Sequence, residues 1–239
     1  FVISGFLITQ QIVRERADGE FSLLSFYERR VRRLVPALLL MLAVSLLAGA
    51  ILLLPYDFAY LARNAASAGA FLSNFSYWMQ TDYFHGDAKT RVLLHTWSLW
   101  VEEQFYLTFP LLLLFVSKYG RDILVRVLGA IALLSLVGCI WMSALDSSTA
   151  FYLFPFRAWE FLIGALLALG LFGSARTLRG RTASSVIGLL LIAASVMVFD
   201  DMTPFPAANA LLPCAGAMLL IRGGADTPVG RLLSTGPLR

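Results

Sequence analysis

The sequence predicts an all-α fold, a polytopic transmembrane helix bundle, and composition and hydropathy are the observations that predict it. Of the 239 residues, 59% are apolar and 14% are charged, whereas a soluble domain is about 45–50% apolar and about 25% charged. The mean hydropathy is +0.75. Apolar stretches of roughly 20 residues, the length that crosses a bilayer, recur along the chain. We therefore expect one membrane domain over residues 1–239, with the lipid bilayer as its surroundings.

The apolar stretches define the expected elements in chain order. Residues 1–13 are expected to be the end of a span already under way. Six full or nearly full spans are expected to follow, with Pro36 near the start of the first, where proline is tolerated; they are residues 34–54, 98–116, 122–143, 155–172, 184–199 and 205–221. Residues 56–79 contain many polar side chains, and we interpret them as one interfacial or re-entrant helix.

The basic residues support this topology. Loops rich in arginine alternate with loops that are poor in it, as expected when the rich loops are cytoplasmic. The rich segments are residues 14–33, 117–121, 173–183 and the tail after residue 221. The alternation holds only if residues 56–79 do not cross. Because the basic residues lie in short loops between spans, we expect no nucleic-acid partner despite the net charge of +4.

The two cysteines, Cys139 and Cys214, both lie in apolar stretches. They form no spacing typical of a metal site or a disulfide. We expect both to be small buried hydrophobic residues, and we expect no bound metal.

The stretch FYERRVRRLVP, residues 26–36, carries four arginines. On a helix, residues three or four positions apart share a face, so the cluster could hold a phosphate ligand by forked hydrogen bonds. The alternative is an anchor to anionic lipid at the cytoplasmic end of a span. The use of arginine rather than lysine favours the first interpretation; the four are Arg29, Arg30, Arg32 and Arg33.

The stretch LLHTWSLWVEEQFYL, residues 93–107, places Glu102 and Glu103 at the boundary of an apolar run. If the helix extends back far enough, His95, Ser98 and Glu102 share one face, whereas Glu103 lies about 100° away with Tyr106 on its side. Such a carboxylate could orient a histidine or polarise a hydroxyl. The alternative is an ion pair or hydrogen bond between helices. We predict that Glu102 is the functional one of the two, and that this outer site lies opposite the cytoplasmic arginines.

The stretch FPFRAWEFLIGALLALG, residues 154–170, offers a second charged pair. Arg157 and Glu160 are spaced to pair within one helix, or Arg157 could reach Glu102 or Glu103. Gly164 and Ala168 provide a small face for close helix packing, and Ser4 with Gly5 in VISGFLIT is expected to do the same.

Taken together, four stretches in this order resemble the membrane acyltransferase-3 family, the bacterial polysaccharide O-acetyltransferases. They are FVISGFLIT, FYERRVRRLVPAL, LLHTWSLWVEEQFYL and RAWEFLIGALLA, and they cover residues 1 to about 170. The resemblance implies a multi-pass protein of the bacterial inner (plasma) membrane. It would move an acyl group, usually acetyl, from acyl-CoA (acetyl-CoA), its co-substrate, to a hydroxyl of a glycan or lipid-linked sugar acceptor such as lipopolysaccharide.

The resemblance also assigns residues. The family's Arg-x-x-Arg motif falls on Arg30 and Arg33, with Arg29 and Arg32 as an overlapping copy, and is implicated in handling acyl-CoA. The chemistry of the other stretches makes His95, Glu102 and Glu103 catalytic candidates and Ser98, Arg157 and Glu160 substrate-binding candidates; His95 belongs to the LHTWSL motif and is not the family's proposed catalytic histidine. The family's proposed catalytic histidine lies in a first span that precedes these motifs. We therefore expect the chain to be a piece of a longer protein, inactive by itself.

Two other functions remain open at this stage. Charges within spans also suit a transporter or flippase for a glycan or lipid-linked substrate, although no internal repeat is evident. A purely structural membrane partner is the third possibility. The transfer of label from acetyl-CoA to a glycan would separate the first function from both others.

Overall fold

The computed structural model describes residues 1–80, 92–173, 177–200 and 203–234. Within these ranges the chain is helical and contains no strand, which confirms the all-α fold. A 3₁₀ turn, Ala208–Ala210, leads into the tenth helix. The α-helices of the described ranges are α1 Val2–Ala17, α2 Leu23–Leu52, α3 Pro55–Gly69, α4 Ser73–Gln80, α5 Thr96–Ser117, α6 Arg121–Leu145, α7 Ser147–Tyr152, α8 Phe154–Ala168, α9 Leu178–Val198, α10 Leu211–Gly223 and α11 Pro228–Leu233.

Four of these helices, α2, α5, α6 and α9, are long and apolar enough to cross a membrane. A shorter apolar helical segment, Ala208–Gly223, includes the 3₁₀ turn and α10. These helices support a membrane protein. The number of six spans stays a prediction, since length and composition alone identify four among the described residues.

Helix α2 begins earlier than the hydropathy pattern predicted. It starts at Leu23 rather than near residue 34, and the hydroxyl of Ser22 accepts a hydrogen bond from the backbone N–H of Ser25 at this end. The arginine stretch is therefore part of the same 30-residue helix as the apolar run. The prediction for Pro36 was wrong, because this residue lies inside the helix and not in its first turn.

The ambiguous segment 56–79 is two helices. A turn separates α3 from α4, and Phe71 in that turn has a φ of 64°. Three of the polar residues that argued against a crossing, Asn64, Ser73 and Asn74, are buried, whereas Asp57 and Arg63 are exposed. An interfacial or re-entrant position for this pair stays a prediction.

The chain divides into two compact units, which we describe separately. The arginine unit comprises Glu15–Pro110 and Tyr152–Phe154, and the ion-pair unit comprises Phe1–Arg14, Leu111–Phe151 and Pro155–Arg239.

The arginine unit packs α2, α3 and α5 around a shared apolar cluster. Leu38 and Leu42 of α2 lie in the same cluster as Trp100 of α5, whereas Tyr27, near the start of α2, donates a hydrogen bond to the carbonyl of Leu107 at 2.8 Å. Early residues of α2 thus contact late residues of α5, so the two helices run in opposite directions.

In the ion-pair unit, α1 and α8 touch backbone to backbone. A Cβ added to Gly5 would lie 1.9 Å from the carbonyl oxygen of Phe161, and one added to Gly164 would lie 2.0 Å from that of Val2. Only glycine permits such an approach, as in small-residue contacts between membrane helices. The packing role predicted for Gly5 and Gly164 is confirmed.

Candidate functional site

The four arginines of α2 differ in their ion-pair partners. Arg29 contacts both carboxylate oxygens of Glu15 at 2.8 Å, and Arg32 pairs with Glu28 at 2.7 Å. Both arginines are exposed, and exposed pairs of this kind contribute about 0–1 kcal/mol. Two of the four predicted phosphate ligands are thus occupied by neighbouring carboxylates.

Arg30 and Arg33 are not engaged in this way. Arg30 is half-buried, and its guanidinium carbon lies 3.8 Å from the ring centre of Tyr106 and 5.8 Å from that of Phe26. Arg33 is exposed, and neither arginine has an ion-pair partner among the described residues. Since a cation–π contact leaves the N–H edge of a guanidinium available, both arginines keep donors for a ligand.

Tyr106 joins Arg30 to one of the two carboxylates. Its hydroxyl donates a hydrogen bond to Oε2 of Glu102 at 3.1 Å, one helical turn away, and the tyrosine is 6% exposed. We expected Tyr106 to lie on the same side of the helix as Glu103; this was wrong for the Tyr106 hydroxyl, which bonds to Glu102 instead. Arg30 also lies close enough to Glu103 to interact with it electrostatically. We call Arg30, Tyr106, Glu102 and Glu103 the arginine–carboxylate cluster.

This cluster corrects the predicted separation of two sites at opposite membrane faces. Arg30 contacts α5 at Tyr106, a single turn from Glu102. The arginine motif and the carboxylates therefore lie side by side within the arginine unit. Loop charges suggested otherwise because they were read on the assumption that α2 began after the arginines.

His95 does not share a helical face with Glu102, because α5 begins one residue later, at Thr96. His95 lies in the preceding turn and is exposed; its backbone carbonyl accepts a hydrogen bond from the Ser98 hydroxyl at 3.1 Å. Ser98 lies on α5 one turn before Glu102, as predicted. Catalytic work by His95 and substrate binding by Ser98 stay predictions.

Sequence reasoning missed a buried polar network beside the cluster. The amide of Gln104 donates to the side-chain oxygen of Asn74 at 3.2 Å, and Asn74 donates to the carbonyl of Tyr152 at 3.3 Å. Thr96 donates to the hydroxyl of Ser73 at 3.0 Å. The polar residues of α4 signalled this network, but they were interpreted only as evidence against a membrane crossing.

Arg157 and Glu160 pair with each other in the ion-pair unit. Nη1 of Arg157 lies 3.1 Å from Oε1 of Glu160, and the two side chains are 6% and 7% exposed. The guanidinium carbon is 5.3–5.6 Å from three phenyl ring centres, those of Phe1, Phe151 and Phe205. The intrahelical pairing is confirmed; substrate binding by the two residues, and a reach of Arg157 toward Glu102 or Glu103, stay predictions.

Comparison with known proteins decides the family. The profile of an acyltransferase domain, that of the acyltransferase-3 family, matches residues 1–228. The chain belongs to the acyltransferase-3 family. This confirms the family resemblance carried by the four stretches, including the two that form the arginine–carboxylate cluster.

This acyltransferase-3 protein is similar to three relatives, and it covers a different share of the length of each. An uncharacterised protein of Haemophilus influenzae is 35% identical over 92% of this chain and 95% of its own length. The O-acetyltransferase OatA of Staphylococcus aureus is 35% identical over 70% of this chain but 28% of its own length. BcsY of Komagataeibacter xylinus, named as a membrane-bound transacylase, is 32% identical over 96% of this chain and 58% of its own. No solved structure matches the chain.

Proposed function

We propose that this protein is a membrane-bound O-acyltransferase of the bacterial inner membrane. It would move an acyl group, acetyl in the first instance, from acyl-CoA to a hydroxyl of a cell-envelope glycan. Family membership supports acyl transfer in a membrane setting. The names of OatA and BcsY, O-acetyltransferase and transacylase, support the type of reaction.

Arg30 and Arg33 are the best candidates for holding the phosphates of acyl-CoA. They are three residues apart on α2 and share a face, and neither forms a salt bridge among the described residues; Glu103 interacts with Arg30 only at longer range. Guanidinium forks suit phosphate oxygens. Arg29 and Arg32, held by Glu15 and Glu28, would contribute to the local positive potential rather than to direct contacts.

The chemistry requires an acceptor hydroxyl to lose its proton as its oxygen attacks the thioester carbonyl. The new C–O bond forms, the C–S bond breaks, and the proton lost from the hydroxyl balances the one gained by the CoA thiolate. In this scheme Glu102 orients the acceptor hydroxyl or the base that removes its proton. Holding donor and acceptor in contact supplies much of the rate in such reactions.

One observation carries the proposal: the contact chain from Arg30 through the Tyr106 ring to the carboxylate of Glu102. It joins the cation suited to the donor with the carboxylate suited to the acceptor. Donor and acceptor groups could therefore meet in one place, without passage of the acyl group between two distant sites.

The test uses the full-length protein in membrane vesicles with acetyl-CoA labelled in its acetyl group. We expect Glu102→Gln to abolish transfer of label to envelope glycan while leaving the amount of protein in the membrane unchanged. Thr108→Ala is the control, because it lies on the same helix and its hydroxyl bonds only to backbone carbonyls. Full activity of Glu102→Gln would refute the role of Glu102. A wild-type protein that carries glycan across the vesicle membrane without labelling it would favour the flippase instead.

A further inference from the structure

The arginine unit contains a cavity that the proposed function has not used. Its volume is about 340 Å³, within the range of about 300–1,000 Å³ typical of small-molecule sites. It lies between the end of α2, one face of α3 and the turn before α5. The lining residues are Leu53, Asp57, Tyr60, Leu61, Asn64, Val92 and Leu93.

The face of α3 that lines the cavity combines apolar and polar side chains. Asp57, Tyr60, Leu61 and Asn64 are spaced at i, i+3, i+4 and i+7, which places them in one row along the helix. Asp57 is exposed at the start of this row, and Asn64 is 2% exposed at its other end. A row of side chains that runs from solvent to a buried amide is expected along the wall of a pocket that is open at one end and closed at the other.

The side chain of Asn64 is held in place by a hydrogen bond from α4. Its side-chain oxygen accepts a hydrogen bond from the amide of Gln80 at 3.1 Å, and the same amide group donates to Ser76 at 2.7 Å. A buried amide is costly unless its hydrogen bonds are made. Here the supporting bonds come from α4, so the amide is a fixed feature of the cavity wall.

The chemistry of the described lining residues favours one class of ligand. They include one carboxylate, Asp57, and no lysine or arginine. Asp57 accepts hydrogen bonds, Asn64 both donates and accepts, and leucine, valine and a tyrosine ring offer apolar surface. This combination matches a neutral molecule with many hydroxyls on one side and C–H groups on the other, which is a sugar ring.

The position of the cavity matches an acceptor better than a donor. Leu53 at the cavity and Arg30 in the cluster lie at opposite ends of α2, about 35 Å apart at 1.5 Å per residue. The chain then leads from Leu93 at the cavity into α5, where Glu102 precedes Tyr106. The carboxylates thus lie between the cavity and the arginine turn.

We propose that this cavity is a binding site for a sugar ring of the glycan that carries the acceptor hydroxyl. The assignment of this ring to the acceptor glycan rests on the proposed acyl transfer, but binding of the sugar can be measured without any acyl donor. The two can therefore fail separately.

The experiment labels an introduced cysteine in the wall of the cavity. Val92→Cys suits it, because Val92 is 56% exposed, whereas both natural cysteines are buried in the ion-pair unit. The full-length protein in nanodiscs would be treated with a hydrophilic maleimide, with and without millimolar glucose, galactose or N-acetylglucosamine. We expect at least one of these sugars to slow labelling severalfold. Asp122→Cys, which is exposed on α6 and is not among the described lining residues, should label at the same rate throughout.

The polar residues are tested in the same Val92→Cys background. We expect Asn64→Leu to reduce sugar protection about threefold to tenfold, as the loss of a neutral hydrogen bond of roughly 0.5–1.5 kcal/mol would. Asp57→Asn, which replaces a charged acceptor by a neutral one, should reduce it by a similar factor. Asp122→Asn is the matched control for Asp57, since both carboxylates lie in the first turn of a helix. A thermal unfolding scan of each variant identifies any that fail to fold, and Asp57→Asn, at an exposed position, serves if Asn64→Leu fails.

Three results would overturn the assignment: no protection by any of the three sugars, protection by CoA in place of sugar, or sugar protection that survives both substitutions. Sugar protection without acetyl transfer would preserve the site and refute the proposed enzyme function. Acetyl transfer without sugar protection would do the reverse.

Discussion

The guanidinium carbon of Arg30 lies 3.8 Å above the ring centre of Tyr106. Contacts of this kind are worth about 0.5–1 kcal/mol when exposed and about 2 kcal/mol or more when desolvated. The tyrosine is buried and the arginine half-buried, so the contact fixes the position of the guanidinium while leaving its N–H groups available. Tyr106 consequently acts on both halves of the cluster, the cation through its ring and Glu102 through its hydroxyl.

These two actions can be separated by substitution. Tyr106→Phe keeps the ring under Arg30 but removes the hydrogen bond to Glu102. A hydrogen bond to a charged group is worth about 1.5–3 kcal/mol, so kcat/KM for transfer should fall about 10-fold or more. Tyr27→Phe is the control, because it also removes a tyrosine hydroxyl that bridges α2 to α5; it should change kcat/KM little. Equal effects of both substitutions would mean that the hydroxyl of Tyr106 serves packing only.

The four arginines should divide into two classes. Arg30→Lys and Arg33→Lys lose the guanidinium fork at positions that form no salt bridge within the described part of the chain. Each should raise the KM for acetyl-CoA about 10-fold or more, the equivalent of one charge-assisted hydrogen bond. Arg29→Lys and Arg32→Lys, which keep a charge near Glu15 and Glu28, should change KM much less. Steady-state kinetics over a range of acetyl-CoA concentrations distinguishes the classes. A uniform effect of all four would favour the alternative of an anionic-lipid anchor.

The backbone contact between α1 and α8 predicts a large cost for one methyl group. Gly164→Ala would place a Cβ 2.0 Å from the Val2 carbonyl oxygen, and overpacking of this kind costs typically about 1–3 kcal/mol. We expect a lower thermal midpoint in detergent. Gly129→Ala is the control, because a Cβ at this helical position meets no heavy atom within 4 Å; its midpoint should stay unchanged or rise. An unchanged midpoint for Gly164→Ala would mean that α1 and α8 separate easily.

The buried Arg157–Glu160 pair should be more sensitive to losing one partner than both. Removing one partner of a buried pair typically costs about 3–5 kcal/mol, whereas apolar replacement of both is often near neutral. Thermal unfolding should therefore rank Arg157→Met/Glu160→Met above both single variants, Arg157→Met and Glu160→Met. The exposed pair of Arg181 with Asp226 provides the control, since Asp226→Asn should cost at most about 1 kcal/mol. Additive losses in the double variant would contradict this prediction.

Asp146, between α6 and α7, should make a small part of the stability depend on pH. Its carboxylate accepts hydrogen bonds from the Thr149 hydroxyl and the Ser148 backbone N–H, and the Thr149 bond chiefly lowers its pKa below the ordinary value. A depressed pKa adds stability at neutral pH that is lost as pH falls below about 4 through the folded-state pKa.

Unfolding scans at pH 7 and at pH 3 test this linkage. Asp146→Ala should lower the stability at pH 7 by about 0.5–2 kcal/mol, the usual cost of an N-cap, and the difference from the wild type should shrink at pH 3. A difference that is the same at both pH values would exclude the ionised carboxylate as its source.

Hydropathy sufficed to predict the helical membrane fold, because apolar stretches of span length have few alternatives to helix. Hydropathy did not predict the start of α2, because the apolar stretch ends at the charged residues whereas the helix continues through them. Arginine is a good helix former. The split of residues 56–79 was also hidden, because the turn at Phe71 carries no glycine or proline. Polar residues there turned inward through tertiary pairing that a local pattern does not contain.

The sequence allowed the individual site residues to be predicted, but most of the contacts between them could not be predicted. Spacing identified Arg30, Glu102 and Glu103 as candidates, and the i, i+3 spacing predicted the Arg157–Glu160 pair. The contact between Arg30 and Tyr106 joins residues far apart in sequence, so periodicity on one helix could not reveal it. The hydrogen bond of Tyr106 to Glu102, at i, i+4, could have been found, but helical angle alone assigned the tyrosine to Glu103.

The point at which Arg30 meets α5 has a consequence for the shape of the membrane. From Tyr106 to its end at Ser117, α5 rises about 16 Å, and Leu107, Leu111 and Phe115 along this half are exposed, as lipid-facing residues are. If the Ser117 end of α5 marks the surface of a hydrocarbon layer about 30 Å thick, a charge at the depth of Tyr106 would be costly unless water reaches it. We would then expect an aqueous inlet beside this half of α5, and a thinner insulating layer between the two compartments at that point.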